Sequence, residues 1–233
     1  MRPARALGLA AALFAAAPAL AQAAVADAAY GEAFVGAFAD ACVPERLSYA
    51  GTRAHAEKLG WTAAERDAHP ELAAMMAKMD EGALEAAEEM DGTFDHRLYA
   101  MPVAGSPHFL IVSRATFMME GFSPDDEPDE WAYIGCYLYN FDATAPIDPA
   151  PMVALTGNEI AREVVDEGLV SYLFGPPCPM PRTGDSYLTF VAPDSPHVAE
   201  TGFSGLMVKF DTSEPDPGED VPDTYCTDTA PSQ

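Results

Sequence analysis

The apolar pattern of this chain changes period near residue 92, and that change limits what it can fold into. Before it, apolar residues recur at helical spacing, and after it they alternate. Phe34, Phe38 and Cys42 fall at every fourth position with Val35 and Ala41 beside them, which predicts a helix over 26–42 with one apolar stripe. Pro44 then resets the chain. A second helix is expected over 45–59, closed by Gly60 in a left-handed cap with Trp61 folding back as its apolar partner. Thr62-Ala63-Ala64-Glu65 matches a capping box and predicts a short third helix that His69-Pro70 terminates. Leu72, Met75, Met76, Met79, Ala83, Ala87 and Met90 share one face of a longer helix, which Gly82 weakens by about 1 kcal/mol relative to alanine.

From Thr93 onward the period is two. Residues 94–101, 108–114 and 132–141 read as strands rich in aromatic and β-branched side chains, and 102–107, containing Gly105, joins the first two as a hairpin. A short helix over 149–155 stops at Gly157, and 159–167 fits either a further helical turn or an edge strand. Residues 169–174, 187–191 and 205–211 are the remaining strands. Helices first and strands afterwards, joined by short turns, predict an α+β fold: N-terminal helices packed on a mainly antiparallel sheet of about six strands, stabilised by disulfides. One domain is expected over 24–211, with helices in 24–91 and the sheet in 93–211. Residues 212–233 form an acidic, proline-rich tail with the composition of a disordered segment.

Residues 1–23 carry two early arginines, an apolar run from Leu7 to Leu20, and the small-x-small motif Ala21-Gln22-Ala23, which together predict a cleaved signal peptide. The run contains Pro18 and falls short of the roughly 20 residues that a transmembrane helix needs. The expected product is soluble, periplasmic or secreted, and without a membrane span. Twelve Lys and Arg stand against 37 Asp and Glu, a formal net charge of −25. Such a surface repels phosphate backbones, which excludes nucleic acid as a partner, and it attracts metal ions and basic proteins or peptides.

Export places Cys42, Cys136, Cys178 and Cys226 in an oxidising compartment, where disulfides are expected. Four cysteines permit three pairings. Cys42 ends the first helical stripe and Cys136 shares a strand face with Ile134 and Leu138, so both point toward a helix–sheet core. Cys178, within Gly175-Pro176-Pro177-Cys178-Pro179, and Cys226, in the tail, both lie in irregular chain, so local context favours Cys42 with Cys136 and Cys178 with Cys226.

Motifs for chemistry are sparse. Met75, Met76, Met79 and Met90 offer soft thioethers of the kind that hold cuprous ion, yet their spacing is equally that of a packed helix face. His96 and His108 lie on neighbouring strands of the predicted hairpin, near Asp95, where they could form a metal or acid–base pair. Asp125, Asp126, Glu127, Asp129 and Glu130 in one loop, and Glu214, Asp216, Glu219, Asp220 and Asp223 in the tail, supply hard oxygens suited to calcium, without the EF-hand pattern. Ser204 lacks a complete nucleophile elbow and precedes a strand. No phosphate loop or dinucleotide fingerprint is present, and neither a catalytic residue nor a cofactor is predicted. Trp131, Tyr133, Tyr137 and Tyr139 form an aromatic strand face opposite Ile134, Cys136 and Leu138. With helices on one side of the sheet this face is a binding surface; with both sides covered it is core.

The signal peptide, the early phenylalanine-bearing helix ending in Cys42, the helix closing on Gly60-Trp61, and the Cys136 strand followed by a Pro/Ala-rich short helix and further strands resemble small exported proteins of unknown function from GC-rich Gram-negative bacteria. The resemblance implies no activity and no site residues, and it supports pairing Cys42 with Cys136. Cys178, Cys226 and the acidic tail depart from it. The expected function is non-catalytic binding in the periplasm, with metal binding, copper through methionine or calcium through the acidic loops, as the alternative and hydrolysis third.

Overall fold

Asp27 opens the first helix by accepting a hydrogen bond from the Ala29 amide at 3.0 Å, which satisfies one of the amides that a helix start leaves unpaired. In a computed structural model that describes residues 26–90, 92–119, 129–216, 218–222 and 224, this helix, α1, spans Ala28–Cys42. Its stripe of Phe34, Val35, Phe38, Ala41 and Cys42 is buried as the spacing predicts. The second helix, α2, starts only at Tyr49, because the Ser48 hydroxyl accepts from the Gly51 amide at 3.1 Å and fixes the cap there, and it runs to Lys58. Gly60 then takes a φ of 97°, the Trp61 amide reaches back to the Ala56 carbonyl, and the Trp61 side chain is buried against the core.

Thr62–Ala63 does not start a helix. It forms a short strand, β1, on the edge of the sheet, paired with Ala100 and Tyr99, and only a 3-10 turn over Arg66–Ala68 follows before helix α3, Pro70–Met90. The local capping signal loses here to pairing with a strand more than thirty residues downstream.

Strands β2 (Thr93–Val103), β3 (Ser106–Met119) and β4 (Asp129–Asn140) form an antiparallel meander. The first hairpin is tighter than 102–107, with Val103 paired to Ser106 and a two-residue turn at Ala104 and Gly105, both at positive φ, 49° and 86°. Helix α4, Ala150–Thr156, then carries the chain from the centre of the sheet to its far edge. There β5 (Ile160–Asp166), β6 (Leu169–Phe174) and β7 (Thr183–Val191), the four-residue helix α5 (Val198–Thr201) and β8 (Gly205–Ser213) bring it back to pair with β4. Among the described residues the sheet therefore has eight strands, not about six, in the order β1-β2-β3-β4-β8-β7-β6-β5 with every neighbour antiparallel. The α+β class holds; the two additional strands are the edges β1 and β5.

Helices cover both faces. On one face α1, α2 and α4 pack over Leu110, Val112, Ile134, Leu138, Leu188, Val208 and Phe210. The Cys42–Cys136 disulfide, with Cα atoms 6.0 Å apart, ties the end of α1 to β4 within this core. Cys178 is disulfide-bonded as well, while Cys226 lies outside the described residues. On the other face α3 places Leu72, Met75 and Met76 against Leu98, Phe109, Ile111, Tyr139 and Met207.

Candidate ligand-binding groove

Helix α3 packs over β2 and β3 and stops short of the far half of the sheet. The pleat then lays two rungs of side chains across the uncovered strands. One runs Tyr139, Met207, Thr189, Ser171 and Val164, and the next runs Tyr137, Lys209, Tyr187, Leu173 and Arg162, in the order β4, β8, β7, β6, β5. Short side chains at Thr189 and Ser171, bonded to each other at 2.8 Å, lower the middle of the first rung. Met75, Lys78 and Met79 of α3, with Thr201 and Phe203 after it in space, form the wall. The result is a groove of about 560 Å3, within the range that small-molecule sites occupy.

Tyr137 is positioned by a residue that is missing a side chain. A Cβ on Gly135 would lie 2.5 Å from the Tyr137 ring and 2.6 Å from Ser113 Oγ, so glycine is what lets the ring lie back along β4. The Tyr137 hydroxyl donates to Asp211 Oδ1 at 3.0 Å and also bonds with Ser113. Burial first, and the Asp211 charge second, push its pKa well above the ordinary tyrosine value, so it remains a protonated donor. The Lys209 ammonium sits between two aromatic faces, 5.5 Å from the Tyr137 ring centroid and 5.1 Å from that of Tyr187, and 3.5 Å from Asp211 Oδ2. Lys78 donates to the Ala199 and Glu200 carbonyls and so ties α3 to the end of α5.

The aromatic strand face divides. Tyr139 is buried under α3, Tyr137 floors the groove, and Trp131 and Tyr133, 40% and 38% exposed, stand at the open end of β4. They border a separate depression with Pro176, Pro177, Met180 and Arg182. The strand is neither wholly surface nor wholly core, because partial cover by α3 produces both.

The other candidates do not converge. His96 is opposite Ser113 and His108 opposite Met101, five residues apart along the hairpin and on opposite faces. His96 accepts from Arg66 at 3.0 Å. His108 is fully buried, donates through Nδ1 to the Ser106 carbonyl at 2.9 Å, and accepts from the Tyr30 hydroxyl at 3.0 Å, which in turn accepts from Asn140. Burial lowers the pKa of both histidines. Ser204 is buried, and its hydroxyl and amide both donate to the Glu71 carboxylate at 2.6 Å, fastening the start of β8 to the first turn of α3. Met75 and Met76 are core, while Met75 and Met79 also line the groove. Asp125, Asp126 and Glu127 lie outside the described residues. Glu214 binds Arg114 at 2.6 Å and Glu219 binds Arg182, so two of the tail acids are held by arginines. Among the described residues no group of three or more His, Cys, Asp or Glu is placed to hold a metal, and no helix is long and apolar enough to cross a membrane.

Comparison with protein-family models, with curated proteins and with solved structures gives no match.

Lys78, Arg162 and Lys209 did not stand out as site residues in the sequence. One signal was present: the chain has only three lysines, and Lys209 interrupts the strongly apolar β8. A cation in the middle of a central strand needs a reason, and here it is the pair of tyrosines on the adjoining strands.

Proposed function

We propose that this is a non-catalytic binding protein whose ligand lies in the groove between α3 and the β4-β8-β7-β6-β5 side of the sheet. The observation that carries the reading is the incomplete cover of that face. Met75, Met79, Val164, Leu169, Phe203 and Met207 converge there on open space, and apolar surface left in a concave site gains free energy when a ligand covers it, at about 25 cal/mol per Å2. The buried disulfide and the Ala21-Gln22-Ala23 motif support an exported protein working in an oxidising compartment.

A neutral solvatochromic dye such as Nile red tests the groove. The purified protein is expected to bind it with a blue-shifted emission, and Ser171→Trp, which places an indole on the groove floor, is expected to abolish the signal while the far-UV circular dichroism stays native. Dye binding that survives Ser171→Trp, or no dye binding by the wild type, removes the reading. Mass spectrometry of the exported protein is expected to find Ala24 at its amino terminus.

A further inference from the structure

Charge in the groove runs opposite to charge in the chain. Acids outnumber bases 37 to 12, yet among the described residues the groove is lined by Lys78, Arg162 and Lys209 and by no aspartate or glutamate. Two of the three lysines in the protein are in this one place. The three cations are differently engaged. Lys78 is committed to backbone carbonyls, and Lys209 is partly offset by Asp211. Arg162 is exposed on β5, and among the described residues no hydrogen bond or ion pair engages its guanidinium.

We propose that the groove selects an amphipathic carboxylate, a single apolar chain ending in one carboxylate, with the headgroup at the Arg162–Lys209 rung and the chain along the wall of Met75, Met79, Phe203 and Met207. This rests on the groove being the binding site. The two halves of the ligand match two halves of the groove: one rung is cationic and the neighbouring rung, with the α3 wall, is apolar or small. Arg162 and Lys209 are three strand spacings apart, about 14 Å between backbones, so their long side chains reach the headgroup from either side. Tyr137 and Tyr187 hold the ammonium of Lys209 in place, which lowers the entropy lost on ordering it. The acidic remainder of the surface acts weakly at this site, because charges farther than about 8 Å are largely screened at physiological ionic strength.

Displacement of Nile red by three ligands of equal chain length, dodecanoate, dodecanol and dodecyltrimethylammonium, decides the matter. Dodecanoate is expected to compete at least about tenfold more strongly than dodecanol, as a charge-assisted hydrogen bond predicts, and the ammonium most weakly. Arg162→Gln and Lys209→Met should each erase most of the carboxylate preference and leave dodecanol unchanged. Equal competition by all three, or a preference that survives both substitutions, overturns the carboxylate assignment and leaves the groove as a site for neutral apolar ligands. Failure of the wild type to bind the dye overturns the groove itself, and this assignment with it.

Discussion

The two faces of the sheet are made by the same strands and differ in how far helices cover them. On β4, Ile134, Cys136 and Leu138 point to the α1 face and Tyr133, Tyr137 and Tyr139 to the α3 face. Among the described residues the first face is covered by α1, α2 and α4 and carries a disulfide; the second is covered by α3 along half its width, with only the short α5 beside it. Burial of apolar area supplies most of folding stability, so the fully covered face should carry the fold. The half-covered face can hold open space because the other does not.

The largest effect should come from the covered face. Phe38 and Phe210 are buried and meet edge-on with centroids 5.1 Å apart, joining α1 to β8. Phe38→Ala should lower unfolding free energy by about 3–5 kcal/mol in urea denaturation. The same truncation at Met79 on the groove wall should cost less than half of that, and equal costs would dissolve the contrast between the faces. Replacing Cys42 and Cys136 together by alanine opens a cross-link of sequence separation 94, and should cost about 3 kcal/mol. Dye binding in the groove should persist in that variant at temperatures where it stays folded.

The same contrast explains which parts were legible in the sequence. Phe34, Phe38 and Cys42 announced α1, and the alternation of Leu206, Val208 and Phe210 announced β8, because covered elements carry a clean period. Edges lack that signal. In β5, Ile160-Ala161-Arg162-Glu163-Val164-Val165-Asp166 mixes apolar and charged residues on both sides, since both its sides are largely open. In β1, Thr62 and Ala63 show a local helix signal and gain a strand only from Tyr99 and Ala100. The groove was hidden for a different reason. Lys78, Arg162 and Lys209 come from α3, β5 and β8, and only the return of β8 to the side of β4, which no local pattern encodes, brings them together.

Gly135→Ala should follow in size, at about 1–3 kcal/mol, because the new methyl group must displace the Tyr137 ring. The ring would swing toward the groove, so this variant should also weaken dye binding, whereas a change of stability alone would mean that the strand shifts instead. On the covered face the comparable polar feature is the Tyr30–His108–Asn140 network. Burial lowers the folded-state pKa of His108, so the unfolded chain binds the proton more readily. Its neutral form is therefore fully favourable above the unfolded value of about 6.5, and stability falls as pH drops below it, by at most about 1.4 kcal/mol per pH unit for one proton. His108→Gln should flatten this part of the stability profile between pH 7 and 5 relative to wild type, and an unchanged slope would shift the acid sensitivity to His96 or the carboxylates.

Tyr137→Phe should have the smallest effect on stability, about 1 kcal/mol, and it separates two roles of one side chain. The ring stays, so its contact with the Lys209 ammonium stays; the hydroxyl goes, so Asp211 loses a donor and turns more fully to Lys209. Lys209 would then be a weaker partner for an anion although nothing touching the ligand's apolar chain has changed. The expected result is weaker competition by dodecanoate with unaltered competition by dodecanol. If both weaken equally, Tyr137 serves the groove by shape and not by setting how much of the Lys209 charge faces a ligand.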